Sequence, residues 1–128
     1  KISVRKILNG IKKPNLLYNL FMDTLDIDKI IQQCKSTLEA YYGEELQGVL
    51  LYGSSARREA LSYSDIDLLV LLSPPFDFFT ELWRIVDLLY PIQLESSRLI
   101  SAKPASIKDY ETGSISLYRN VQAEGVAI

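Results

Sequence analysis

The chain has 128 residues, of which 48% are hydrophobic and 23% charged, with a formal net charge of −2. These values are typical of one soluble globular domain, and they exclude a disordered or collagen-like chain. No segment approaches the roughly 18 apolar residues of a membrane-spanning helix. One cysteine, Cys34, and no histidine exclude an internal disulfide, Cys/His zinc sites and histidine-dependent triads. We therefore expect a cytoplasmic protein whose catalytic metal, if it has one, is a hard cation held by carboxylates.

The charge is distributed unevenly along the chain. Residues 1–21 carry five basic side chains and no acidic one, whereas the rest carries nine basic and sixteen acidic side chains. An acidic body argues against direct nucleic-acid binding. Gly10 and Pro14 interrupt helix formation in the basic segment, and the only methionine, Met22, follows it. We expect residues 1–21 to be a basic extension and residues 22–128 to form the domain. The extension is sequence upstream of a start at Met22, a short basic arm or a transit peptide.

The spacing of apolar residues and the positions of glycine and proline predict the secondary-structure elements in chain order. They are a helix over 25–42, a strand over 47–52, a short helix over 54–61, a strand over 66–72, a helix over 77–90 ended by Pro91, a strand within 92–103, a helical turn over 106–110, a helix over 114–124 and an edge strand over 126–128. This alternation predicts an α/β (α+β) fold. Cys34 lies in the apolar stripe of the first helix, which predicts a buried, inert thiol.

The predicted helix 77–90 is apolar almost all round. One stripe comprises Phe79, Leu82, Trp83, Val86, Leu89 and Tyr90, and Phe76, Phe78, Ile85 and Leu88 lie off it. A domain of this size has little capacity to bury both faces of such a helix. We therefore expect one face to meet a partner protein or a second copy of the chain.

A candidate site lies around the short helix. Gly53 follows a strand and precedes a helix, where a residue without Cβ lets another group approach the backbone. The helix start and the Ser54 hydroxyl suit a phosphate. Asp65 and Asp67 are two residues apart at the start of a strand, so both carboxylates point to one face and favour a cation. Taken singly, these residues also fit an ordinary loop glycine and two turn or strand-edge aspartates.

The full spacing is more specific than its parts. Gly-Ser, ten residues, then Asp-x-Asp, with strands on both sides, closely resembles the signature of the polymerase β-like nucleotidyltransferase superfamily. Residues 104–128 also resemble the tail of its minimal nucleotidyltransferases, so the resemblance covers about residues 24–128. It implies a polymerase β-like fold with a small mixed sheet flanked by helices.

The resemblance also implies roles for individual residues. Gly53 and Ser54 would hold the triphosphate of ATP, and Asp65 and Asp67 would bind two Mg²⁺ ions. Arg57 matches a basic residue of the family motif that touches phosphates, although a solvated helix charge is the alternative. Arg58 lies where the family usually has glycine, and its side chain would either crowd the helix or add a phosphate contact.

A third carboxylate, on the strand beside the Asp-x-Asp strand, is typical of the superfamily. It acts as a general base or completes the metal site. Glu95 is the only acid between Asp87 and Asp109, and we predict that it fills this role. If the strand begins at Arg98 instead, the matching position is Ser101 and no third acid exists.

The resemblance implies a Mg²⁺-dependent enzyme that transfers AMP from ATP to a hydroxyl of a partner protein. Minimal nucleotidyltransferases commonly pair with HEPN proteins, which implies an antitoxin whose partner is a HEPN-type toxin. One alternative is a non-catalytic module that neutralises such a partner by contact. The other is an adenylyltransferase for a small molecule such as an antibiotic, which is weaker because no substrate-gripping domain is evident.

Overall fold

The computed structural model describes residues 16–56 and 65–128. Its elements are α1 (Leu16–Tyr42), a 3-10 turn (Gly43–Glu45), β1 (Leu46–Tyr52), α2 (Gly53–Ala56), β2 (Ile66–Leu72), α3 (Phe78–Glu95), β3 (Ile100–Ser106), α4 (Ile107–Thr112), α5 (Ser116–Glu124) and β4 (Val126–Ala127). None of the helices within these ranges combines the length and hydropathy that crossing a bilayer requires.

The four strands form one mixed sheet in the order β3-β2-β1-β4. Strand β1 is antiparallel to both β2 and β4, whereas β2 and β3 are parallel. A parallel pair needs a long crossover connection, and α3 provides it. The α/β prediction with a small mixed sheet flanked by helices is confirmed.

Each face of the sheet has its own core. One face packs against α1 and α3, through Ile31, Leu38 and Ile85 among others. The other face, built on Leu69 and Leu71 of β2, packs against α4 and α5. Strand β2 is buried on both faces because its sequence is continuously apolar after Asp67, as expected for a central strand. Cys34 lies in the first core, which confirms its predicted burial, and burial raises the pKa of its thiol to about 11.

Two helix boundaries differ from the predictions. Helix α1 begins at Leu16 rather than Leu25, because no glycine or proline lies between Pro14 and Gly43 to stop it. Helix α3 begins after Asp77, whose side chain caps the helix by accepting the Thr80 N–H, but it continues through Pro91 to Glu95.

An internal proline costs a helix about 3 kcal/mol. Leu89 is buried in the first core and Ile92 packs against it partly buried, which offsets that cost, since full burial of a side chain of this size contributes roughly 1.5–3 kcal/mol. The segment predicted to open the third strand is therefore helical, and β3 begins only at Ile100.

The predicted boundary between residues 21 and 22 falls within α1 and stays a prediction. We expect a chain that starts at Met22 to melt within a few degrees of the full chain. The reasons are the basic charge and the helix-breaking Gly10 and Pro14 of residues 1–21, together with the exposure of Leu17. Thermal unfolding of the two chains, followed by circular dichroism, measures this. A drop in melting temperature of more than about 8 °C, roughly 1–2 kcal/mol for a domain of this size, would show that the segment stabilises the fold.

Candidate functional site

Two aspartates lie at the amino end of the central strand. Asp65 directly precedes β2 and Asp67 is its second residue. Ile66 and Leu68, which alternate with them, are fully buried in the first core. Asp67 is only half-buried and Asp65 is exposed. Both carboxylates therefore face away from that core, on the side of the sheet that α4 and α5 cover further along.

Gly53 lies directly against Asp67. Tyr52, the last residue of β1, pairs with Asp67 across the sheet, and the chain turns at Gly53 with a φ of 72° to enter α2. A Cβ placed on Gly53 would lie 2.5 Å from Oδ2 of Asp67. The turn thus brings backbone next to a carboxylate at a point that only glycine fits, both for space and for its left-handed conformation.

The electrostatics of the pair favour a bound cation. Partial burial raises the pKa of Asp67, and the nearby charge of Asp65 raises it further, whereas the ammonium of Lys103 lowers it. Burial and the charge of Asp67 likewise raise the pKa of the Tyr52 phenol. Two repelling carboxylates in a partly desolvated position are stabilised most by a cation between them, and two oxygen ligands of this type fit Mg²⁺.

We expect Gly53→Ala to unfold about 1–2 kcal/mol more easily than the wild type, which is the cost of a left-handed conformation for a residue with a Cβ. We also expect it to lose nucleotide binding, because the new methyl group displaces the Asp67 carboxylate. Urea unfolding and calorimetric titration with ATP and Mg²⁺ measure the two effects. Gly48→Ala is the control, since its Cβ would meet only Leu71 at an ordinary 3.7 Å. Nucleotide binding equal to wild type in Gly53→Ala would remove Gly53 from the site.

The other residues of the motif are placed in part. Ser54 is the second residue of α2 and is half-buried beside Gly53. Arg57 and Arg58 lie outside the described residues, as does the rest of the short helix predicted over 54–61. Their expected contacts with phosphate therefore remain predictions.

The placement predicted for Glu95 is wrong. Glu95 is the last residue of α3 and is exposed, because the helix continues past Pro91 where a strand was expected. The residue paired with Asp67 on β3 is Ser101, which is the alternative that the sequence left open. Within residues 16–56 and 65–128, no three acidic, histidine or cysteine side chains are grouped to hold a metal. Glu95 is thus not brought to the two aspartates, and its catalytic role stays a prediction that this position does not support.

A second surface follows α3. Five large apolar side chains are 44–67% exposed: Phe79, Trp83, Val86, Tyr90 and Leu94. Their spacing of three or four residues places them on one face of the helix, and we call this set the α3 stripe.

The predicted stripe was correct in part. Leu89, assigned to it from the sequence, is buried in the first core together with Ile85. Among the described residues, the α3 stripe is an exposed apolar face of α3, and the partner expected on such a face stays a prediction.

Sequence reasoning missed two residues near Asp67, Tyr52 and Lys103, and named Ser101 only as the alternative to Glu95. Tyr52 immediately precedes the glycine of the motif, and its phenol was detectable only from the antiparallel pairing of β1 with β2. Ser101 and Lys103 depend on the register of β3, which the uncertain limits of that strand concealed.

Two solved structures share this fold. A crystal structure of a nucleotidyltransferase-like protein from Sulfolobus solfataricus superposes with a TM-score of 0.52 and 15% identity, over 92% of this chain and 90% of that one. The toxin–antitoxin complex MntA-HpeT, crystallised in a mutant form, contains a chain with a TM-score of 0.53 and 19% identity, over 77% of this chain and 70% of that one. At these identities the likeness establishes the fold.

Sequence comparison gives the family. The chain is 42% identical over 45 residues to "Putative protein adenylyltransferase MJ1305" of Methanocaldococcus jannaschii, a match that spans 35% of this chain and 28% of that relative. The Nucleotidyltransferase domain family matches residues 27–111, which include Gly53, Ser54, Asp65 and Asp67. With two thirds of its length matched and the fold in agreement, the chain belongs to the Nucleotidyltransferase domain family.

Proposed function

We propose that this protein transfers AMP from Mg²⁺-ATP to a hydroxyl of a partner protein, and that the partner is a HEPN-type toxin. The observation that carries the proposal is the close approach of the Gly53 turn to Asp67, which puts the start of α2 beside two carboxylates. Membership of the nucleotidyltransferase family makes nucleotidyl transfer the reaction, and the similarity to a protein named as an adenylyltransferase favours AMP.

Each residue of the site has a part in this reaction. The Gly53 and Ser54 turn holds the phosphates, with Arg57 adding a cation to them. Asp65 and Asp67 hold Mg²⁺, which when bound neutralises phosphate charge and aligns the attack. The acceptor oxygen, which we take to be that of a tyrosine, forms a bond to the α-phosphorus while the bond from that phosphorus to the β-phosphate oxygen breaks. Pyrophosphate leaves, and the hydroxyl proton passes to water.

The partner assignment has separate support. The MntA-HpeT complex pairs a chain of this fold with a toxin, and the α3 stripe gives this protein an apolar surface of the kind that protein partners cover. The acceptor is therefore expected on the protein that binds the α3 stripe. Association of two copies of this chain through the same face is the competing assembly.

The direct test is transfer of radiolabel. The wild-type protein is mixed with Mg²⁺, ATP labelled at the α-phosphate, and the purified protein encoded by the adjacent reading frame. We expect label on the partner and an increase in its intact mass of one AMP for each modified hydroxyl. ATP labelled at the γ-phosphate is the control and should leave the partner unlabelled. Wild-type protein that binds Mg²⁺-ATP and the partner but transfers nothing would contradict the proposal.

A non-catalytic antitoxin is the second candidate. The observation in its favour is Ser101, which occupies the position beside Asp67 where a third carboxylate is expected. This candidate requires that the partner be inhibited on mixing without any ATP and that its mass stay unchanged. Transfer of AMP in the assay above decides against it.

A further inference from the structure

The face of the sheet beside Asp67 has a serine at the position where the superfamily is expected to have an acid, and a lysine two residues further along β3. The parallel register pairs Asp67 with Ser101 and Leu69 with Lys103. Since side chains two residues apart on a strand share a face, Ser101 and Lys103 lie on the same side of the sheet as Asp67. Lys103 is the next residue after Ser101 on that face, and it is close enough for its charge to lower the pKa of Asp67.

The surroundings of Lys103 leave its ammonium open to a ligand. Its neighbours Ala102 and Pro104 are buried on the other face, whereas Lys103 is exposed. The helices α4 and α5 cover Leu69, Leu71 and Ala105 on this face but leave Lys103 uncovered. The positive charge of Lys103 lowers the pKa of Asp67. The ammonium therefore flanks the carboxylates on the β3 side, opposite the Gly53 turn on the β1 side.

The charge balance of the site follows from these positions. Asp65 and Asp67 supply two negative charges, enough to balance one divalent cation, and the third carboxylate that would help hold a second ion is replaced by Ser101. The ammonium of Lys103 near the pair repels a further divalent ion and offers three donors to phosphate oxygens.

On the basis of the proposed function, we propose that Lys103 binds a phosphate of the nucleotide in place of a second metal ion, so that the site holds one divalent cation per nucleotide. One Mg²⁺ ion and Lys103 would then take the place of the expected pair of Mg²⁺ ions.

The first test measures nucleotide affinity. Lys103→Met keeps the stem and removes the charge, and Lys103→Arg keeps the charge. Binding of a non-hydrolysable ATP analogue with saturating Mg²⁺ is followed by calorimetry. We expect Lys103→Met to weaken binding by about 10- to 100-fold, the effect of one charge-assisted hydrogen bond, and Lys103→Arg to restore most of it. Lys108→Met, which removes an exposed lysine from α4, is the matched control and should bind as the wild type does.

The second test counts metal ions without relying on activity. Mn²⁺ replaces Mg²⁺, and the free ion is measured by electron paramagnetic resonance in the presence of the same analogue. We expect one bound Mn²⁺ per wild-type chain and two in Ser101→Asp/Lys103→Met, which restores the third carboxylate. Two ions in the wild type, or equal affinity of Lys103→Met and Lys108→Met, would overturn the role of Lys103 while nucleotide binding and transfer stand. A wild type that binds no nucleotide would overturn the proposed function, and this inference with it.

Discussion

Asp65→Asn and Asp67→Asn are each expected to lower the rate of AMP transfer by at least about 10²–10³-fold, the usual cost of removing one group that stabilises the transition state electrostatically. An amide oxygen is a neutral and weaker ligand for Mg²⁺ than a carboxylate. The metal-dependent part of ATP affinity should therefore disappear as well. Transfer is measured with α-labelled ATP, and affinity by calorimetry with and without Mg²⁺.

The matched control for these substitutions is Glu95→Gln. It makes the same chemical change at the exposed end of α3, so we expect transfer within a few-fold of the wild type. A loss of about 10²–10⁴-fold in Glu95→Gln, the range of general-base catalysis, would instead restore the catalytic role predicted from the sequence. ATP binding that is independent of the metal, or unchanged in both aspartate variants, would contradict the site.

The same Asp67→Asn substitution is expected to raise the melting temperature of the ligand-free protein by a few degrees at pH 7. Burial and the charge of Asp65 raise the pKa of Asp67 above its ordinary value, so ionised Asp67 destabilises the folded state. That penalty fades as the pH falls through the raised pKa, because the folded state then takes up a proton more readily than the unfolded state. The advantage of the variant over the wild type should thus shrink towards about pH 4. A variant that is less stable at pH 7 would show that Asp67 stabilises the fold.

Most of the site could be predicted because its chemistry lies in a short segment. Gly53, Ser54, Asp65 and Asp67 fall within fifteen residues, and the alternation of Asp67 with buried Ile66 and Leu68 follows from the two-residue period of a strand. Strand β2 itself was predicted to the residue, since a run in which only Asp67 is polar lies between Asp65 and Ser73-Pro74 and leaves little choice of limits.

The part that failed depends on contacts far apart in the sequence. Pro91 suggested a helix end, but the packing of buried Leu89 and partly buried Ile92 outweighs the local preference. No local sequence signal shows how much of the following segment will pack against the core. That one error shifted the predicted third strand and so placed Glu95 beside Asp67 instead of Ser101. The α3 stripe was affected similarly, because helical periodicity identifies two apolar faces without telling which of them meets the sheet.

Trp83→Glu is expected to weaken binding of the partner by roughly 30-fold or more, the effect of losing about 2 kcal/mol at a central aromatic contact. Trp83 is 65% exposed at the middle of the α3 stripe, so the same change should alter the stability of the isolated protein by no more than about 0.5 kcal/mol. Affinity for the protein encoded by the adjacent reading frame is measured by biolayer interferometry. ATP affinity is measured in parallel and should not change, since Trp83 is on the first-core side of the sheet and Asp67 faces the other.

The control for Trp83→Glu places the same charge on the opposite side of the sheet. Ile115, 48% exposed at the start of α5, tolerates glutamate because a negative charge is favourable at the amino end of a helix, and Ile115→Glu should bind the partner as the wild type does. Equal weakening in both variants would point to a general effect of charge on association. Undiminished partner binding in Trp83→Glu would remove the α3 stripe from the interface. A different outcome is a wild-type dimer that Trp83→Glu converts to a monomer while the partner still binds; that result would assign the stripe to association of two copies. One further result would link partner binding to AMP transfer. In that case Trp83→Glu loses AMP transfer but still binds ATP, and it regains transfer at high partner concentration. Such a result requires that the acceptor reach the aspartates by way of the α3 stripe.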